Sequence, residues 1–151
     1  MSDRATWTAD ARVLLAGTAS GTALVLDDPL SFWGGLDAES GRIIDQRHPQ
    51  RDSTVGGRVL VMRAGRGSSS SSTLLAEAIR NGCGPAAIVL AEADEIVVLG
   101  ALVAGLLDGA SPPVVVAGET DYGRLLTGDA VTVAADGRLT VESGGETPAV
   151  G

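Results

Sequence analysis

The residues best suited to chemistry fall in one stretch, Gly65-Arg66-Gly67-Ser68 followed by serines to Ser72. A serine hydroxyl is too weak an acid to act as a base in water, and becomes one only where its alkoxide is favoured. Unpaired N–H groups at the start of a helix, the positive end of the helix dipole and a nearby cation provide that setting. Ser68 would have the first two if a helix begins here, and Arg66 is placed to be the third. Arg66 would serve equally as a two-pronged clamp on a ligand carboxylate. The anion favoured at such a turn is a ligand carboxylate, a phosphate or the serine itself, and residue types alone leave that choice open.

The flanking elements give the turn its setting. Val59-Leu60-Val61-Met62 is a short apolar, β-branched run and predicts a buried strand. Leu74, Leu75, Ala78 and Ile79 recur at helical spacing, and Asn81-Gly82 is a helix stop. Any of Ser68 to Ser72 could cap that helix. A serine tract can also be a plain flexible linker, but the strand directly before it and the helix directly after it argue for a structured turn.

The rest of the chain predicts strands at Ala11–Ala16, Thr22–Leu26 and Arg42–Asp45, with a small-residue turn at Gly17–Gly21. Ser31-Phe32-Trp33-Gly34-Gly35 reads as a loop holding the single Phe and one of the 2 Trp residues. Its aromatics either plug one end of the core or form, with Gly34 and Gly35, a place where a ligand or partner comes close. Pro85–Leu90 and Val114–Val116 predict buried strands. A helix is expected from the acidic start at Glu92, Asp94 and Glu95 to about Leu107, and a short one over Thr120–Leu126. A hairpin, Ala130–Ala134 with Arg138–Glu142, closes the sequence. This order predicts an α/β domain over residues 1–142, a mixed sheet layered with helices rather than a doubly wound one, and a disordered tail over 143–151.

Composition narrows the function. The formal net charge is −8, and all 11 basic residues are Arg, with no basic cluster, so nucleic acid and anionic membrane are poor partners. The single Cys and single His, Cys83 and His48, exclude an intrachain disulfide framework and any Cys/His metal cage built from this chain alone. No apolar run is long enough to span a bilayer, and the start lacks a signal-peptide pattern, so a cytoplasmic location is expected. A phosphate-binding P-loop needs a Lys after its glycine, and the chain has none. A serine hydrolase needs a His and a carboxylate beside its nucleophile; only His48 is available and GxSxG is absent. His48, in a polar loop, reads as a solvated side chain or as a group that orients substrate or handles a proton.

Five blocks taken together, SFWGG at 31–35, DQRHP at 45–49, GRGSSSSSTLLAEAIRNG at 65–82, PAAIVL at 85–90 and DEIVVLGALVA at 94–104, resemble the small-subunit (swivel) domain of the aconitase X family. The resemblance covers about Ala11 to Glu142. It implies a swivelling β/β/α domain acting with a larger catalytic subunit that carries an iron–sulfur cluster; no metal or cofactor would lie in this chain. The family contains hydro-lyases acting on cis-3-hydroxy-L-proline and on mevalonate 5-phosphate. It implies a serine proton acceptor at Ser68, with Ser69 as the neighbouring alternative because the serine tract departs from the family's variable positions. Arg66, Gly67, Ser69 and His48 would then bind substrate, while Ser31, Phe32, Trp33, Gly34 and Gly35 would face the partner or the site. A small hydroxy acid such as cis-3-hydroxy-L-proline is the expected substrate, since a doubly charged phosphate would call for a denser cation set than Arg42, Arg47, Arg51 and Arg66. The remaining alternative is a non-catalytic binding or assembly module of the same fold.

Overall fold

A computed structural model describes residues 5–109 and 111–144. Strands β1 (Thr6–Asp10), β2 (Arg12–Leu15) and β3 (Ala19–Val25) lead to a single kinked turn, α1 (Phe32–Gly35). Next come β4 (Val59–Met62), α2 (Ser70–Arg80), β5 (Ala87–Leu90), α3 (Glu95–Asp108) and β6 (Val114–Val116). The short α4 (Glu119–Arg124) precedes the hairpin of β7 (Ala130–Val133) and β8 (Arg138–Glu142).

All eight strands join in the order β1-β8-β7-β3-β4-β5-β6-β2. β3 to β6 run parallel, as the strand–helix–strand connections require, and the other pairings are antiparallel. β1 and β2 stand at opposite ends of this order, yet only Ala11 separates them in sequence. The chain therefore passes from one edge to the other at Ala11, whose N–H bonds the Gly137 carbonyl at 2.9 Å, and the sheet curls round on itself.

Period-two alternation divides the core into two layers. Val59 and Val61 of β4, Ala87 and Val89 of β5 and Val115 of β6 face the hairpin residues Val131, Val133, Leu139 and Val141. Leu60, Met62, Ile88 and Leu90 point the other way, against Leu75 and Ala78 of α2 and Val97 and Ala101 of α3. The result is a sheet–sheet–helix stack, the β/β/α arrangement expected, with a mixed sheet. Because both faces of β4 and β5 are covered, every residue in them is buried, and they read in sequence as unbroken apolar runs.

Three expectations need correction. Ala19 to Gly21 is not a turn but the start of β3, paired with β7; a Cβ on Gly21 would lie 2.7 Å from the Gly57 carbonyl oxygen, so the small residue marks a close approach. Arg42–Asp45 is not a strand: it makes only isolated bridges, Leu36 to Ile43 and Arg42 to Thr54. β1 was not expected, since Thr6 to Asp10 lacks a run of β-branched apolar residues; it exists because β8 offers it a free edge. Of the expected tail, Ser143 and Gly144 are tied by N–H bonds to the Ala5 carbonyl and to Asp129, and 145–151 lie outside the described residues.

Candidate active site

The Gly-Ser turn leaves the C-terminal end of β4 and enters α2 at Ser70. Its first two N–H groups are committed to the scaffold. Gly65 N–H donates to Asp94 Oδ2 at 2.8 Å, and Arg66 N–H donates to the Leu30 carbonyl at 3.1 Å. The next three, on Gly67, Ser68 and Ser69, have no partner among the described residues. Successive free N–H groups ahead of a helix form a concavity suited to an anion.

The serines keep their hydroxyls largely out of capping. Ser69 occupies the cap position of α2 in helical conformation and makes no side-chain cap bond. Ser68 Oγ accepts only a long 3.4 Å contact from the Ser70 N–H, while its carbonyl takes the Ser71 N–H at 2.9 Å. Ser68, Ser69, Arg66 and Gly67 are all exposed. Arg66, in the same turn, makes no ion pair and no side-chain hydrogen bond among the described residues, which leaves the five donors of its guanidinium unspent.

Ser71 behaves differently. It is 1% exposed, and its Oγ lies 3.4 Å from Ser31 Oγ, the Trp33 N–H and the Arg66 carbonyl. All three contacts are at the outer limit of a hydrogen bond, so Ser71 acts more as a spacer than as a lock. Gly67 packs into the same junction at φ +110°, where a Cβ would lie 2.8 Å from Ser71 Oγ and 2.9 Å from Ser31 Oγ. The two sequence blocks 31–35 and 65–72 thus meet.

The aromatic pair divides. Phe32 is buried in the core, whereas Trp33 is 63% exposed at the edge of the site. Gly34, at φ +81°, has open space around it, and Gly35 backs onto Leu30. His48 is neither solvated nor presented to the surface. It is 4% exposed, with Nε2 2.9 Å from the Asp28 carbonyl oxygen and Nδ1 accepting the Gln50 N–H at 3.0 Å. These partners assign the neutral Nε2–H tautomer and use both ring nitrogens inside the chain, so the placement of His48 among the substrate-binding groups finds no free ring nitrogen here. Among the other loop arginines, Arg42 pairs with Asp52 at 3.7 Å and Arg51 donates to the Gln46 carbonyl, while Arg47 is exposed.

Asp94 was missed as a site element, because it reads in sequence as an ordinary helix-start acid. The signal available was its position opening α3, which enters the sheet's same end as α2. The cleft it forms with Phe32, Gly65, Gly67 and Val97 is only about 10 Å³, too small for a substrate. Arg66, which also lines this cleft, and Ser68 are exposed. Beyond Asp94, an open groove of about 450 Å³ runs along α3 past Val98, Leu99 and Leu102.

An iron–sulfur cluster does not fit the donors of this chain. Among the described residues no group of three or more His, Cys, Asp and Glu comes together. The Cys83 thiol donates to the Ala38 carbonyl at 3.0 Å, and burial, followed by the Asp37 charge, raises its pKa; a cluster ligand must be a thiolate.

This β/β/α stack with a glycine-serine turn at the end of a central parallel strand defines a swivel-type domain. The sequence profile described as the aconitase X swivel domain matches residues 8–142, and the chain belongs to that family. It is 48% identical over 108 residues to a cis-3-hydroxy-L-proline dehydratase of Pseudomonas aeruginosa, covering 72% of this chain and 19% of the relative. It is 38% identical over 132 residues to the phosphomevalonate dehydratase small subunit of Thermococcus sibiricus, covering 87% of this chain and 95% of that one. The chain thus spans about a fifth of the first relative and nearly all of the second. The aconitase X crystal structure (holo-form) from Thermococcus kodakaraensis superposes with a TM-score of 0.78 at 32% identity, covering 89% of this chain and 97% of that chain. No helix among the described residues is long and apolar enough to cross a membrane.

Proposed function

We propose that this chain is the small subunit of a cytoplasmic two-subunit hydro-lyase, and that it supplies Ser68 as the base that removes a proton beside the substrate carboxylate. The observation that carries the reading is the turn itself: an exposed, uncapped Ser68 next to three N–H groups and an Arg66 that have no partner among the described residues. Arg66 and the N–H groups hold the carboxylate and the negative charge that grows on it as the proton leaves. Ser68 Oγ, as alkoxide, takes the proton from the carbon next to the carboxylate. That electron pair becomes the new double bond as the hydroxyl departs from the adjacent carbon.

The site is open and shallow, so a second polypeptide must close it and exclude water. The exposed Trp33 beside the turn suits such a contact, since half-exposed aromatics anchor interfaces. In this family the iron–sulfur cluster would belong to the larger polypeptide, in keeping with a domain that is about a fifth of a longer dehydratase in one relative and a separate small subunit in another.

The favoured substrate is cis-3-hydroxy-L-proline. The higher identity to a dehydratase of that compound supports it, as does the thin supply of uncommitted cations around the turn. Mevalonate 5-phosphate is the second reading, supported by the nearly full-length match to a separate small subunit named for that reaction. Co-expression with the larger subunit, purification and assay of each part against both compounds tests the proposal. Turnover only by the complex, and of the hydroxyproline, is expected; turnover of mevalonate 5-phosphate alone would reverse the substrate choice, and turnover by the isolated chain would remove the need for a partner.

A further inference from the structure

We infer that Asp94 is a positioning residue for the catalytic turn, setting where Ser68 and the free N–H groups stand; this rests on the reading of Ser68 as the base. Asp94 is the cap of α3, and one oxygen suffices for that task. Oδ1 accepts the N–H groups of Ile96 at 2.9 Å and Val97 at 3.2 Å. A serine at this position would cap about as well. Oδ2 does something else: it reaches back 29 positions in sequence to accept the Gly65 N–H at 2.8 Å. That bond is charge-assisted and short, hence among the stronger ones in the domain.

Its location decides its effect. Gly65 is where the chain leaves β4, and the following N–H, on Arg66, is held by the Leu30 carbonyl at 3.1 Å. Two successive N–H groups are thereby tied to two different elements, α3 on one side and the segment before α1 on the other. Only Gly67 separates this pair of ties from Ser68. The donors consumed by the scaffold are followed directly by the donors left open for a ligand, so Asp94 marks the boundary between them. Gly65 fits tightly there: a Cβ on it would lie 3.2 Å from Asp94 Oδ2 and 3.1 Å from Val97 Cγ2.

The contact can be separated from the cap by Asp94→Ser, which keeps an acceptor for α3 and cannot reach Gly65. The reconstituted complex of this chain with its larger subunit is assayed with cis-3-hydroxy-L-proline and mevalonate 5-phosphate, alongside Ser68→Ala. Asp94→Ser should lower kcat roughly 10- to 100-fold, as small misplacements of reacting groups do, while KM stays within about 3-fold. Its thermal midpoint should fall by only about 3–10 °C, the worth of the one lost bond to Gly65, because the cap survives. The alkaline-rising limb of the pH–rate profile should move to higher pH, because N–H groups displaced from Ser68 favour its alkoxide less. A merely structural loss would lower the plateau without moving that limb. Wild-type kcat and an unmoved limb in Asp94→Ser, with Ser68→Ala inactive, would overturn the inference. Full turnover by Ser68→Ala would instead remove the reading beneath it. Should Asp94→Ser not fold, Gly65→Ala presses on the same contact from the other side, and its folded complex must show the same loss of kcat and the same shift of the limb; normal turnover there overturns the inference as well.

Discussion

Gly67→Ala places a methyl group at the junction of the two blocks that build the site. The backbone there sits at φ +110°, a conformation that costs an L-residue about 1–3 kcal/mol. The new Cβ would lie 2.8 Å from Ser71 Oγ and 2.9 Å from Ser31 Oγ, roughly half an ångström inside ordinary contact. Neither hydroxyl can swing clear cheaply, since each is one bond from its own Cβ and Ser71 is buried; overpacking of this kind costs about 1–3 kcal/mol. Together the two effects predict a loss of about 2–6 kcal/mol if the turn holds its shape. For a chain of this size that is a fall in thermal midpoint of about 4–24 °C. If the turn instead yields, stability falls less, but Ser68 moves and turnover drops by about 100-fold. Thermal melting of the purified chain and turnover of the reconstituted complex, measured on the same preparation, cover both routes. A variant that melts near wild type and also turns over at the wild-type rate would refute the packing of this junction and the positioning role of Gly67.

Ser68→Ala should reduce turnover by roughly 10²- to 10⁴-fold, the usual worth of a general base, with the complex still assembled on size-exclusion chromatography; Ser69→Ala should cost far less, and the opposite order would move the base by one residue. His48→Ala leaves the Asp28 carbonyl and the Gln50 N–H without their partner, so urea unfolding should show about 2–4 kcal/mol lost, while the turnover of folded complex is retained. Loss of turnover without loss of stability would return His48 to the substrate site. Cys83 has its pKa raised, chiefly by burial, so less thiolate exists at any given pH than for a free cysteine. Its alkylation by iodoacetamide should therefore rise at more alkaline pH than that of a reference peptide and run more slowly at pH 8.

Much of the fold was legible because burial on both faces writes itself into residue type. β4, β5 and β6 are unbroken runs of Val, Leu, Ile, Ala and Met, and α2 carries a regular apolar stripe ahead of Asn81-Gly82. The elements that failed are those whose existence depends on a distant partner. Thr6 to Asp10 is a strand because β8 lies open beside it, and Ala19 to Gly21 is one because β7 pairs with it across a tight approach to Gly57. Local propensity cannot report such pairings. The passage of the chain at Ala11 from one edge of the sheet to the other was likewise invisible, since nothing at a single alanine signals it.

The candidate site was legible in its residue types and hidden in its supports. The spacing of Arg66, Gly67 and Ser68 before a helix suggested an anion-holding turn, and the N–H groups of Gly67, Ser68 and Ser69, without a partner among the described residues, are compatible with that reading. What composition could not convey is that the same turn is braced by Asp94 and the Leu30 carbonyl, residues that look unremarkable in sequence. Nor could it separate Phe32 from Trp33, adjacent aromatics with opposite fates. Under the proposed function, the arrangement accounts for an activity divided between two polypeptides. A base that depends on fixed N–H donors needs a rigid frame, which the eight-stranded sheet and two packed helices supply. Water exclusion and a substrate-shaped cavity need depth, which a turn at the rim of a 151-residue domain lacks. Under the proposed division of labour between a rigid small domain and a larger polypeptide, the charge-holding turn would stay exposed until the partner covered it. Ser68 would then be surrounded by low dielectric only when substrate is enclosed, the condition under which its neighbouring donors act most strongly.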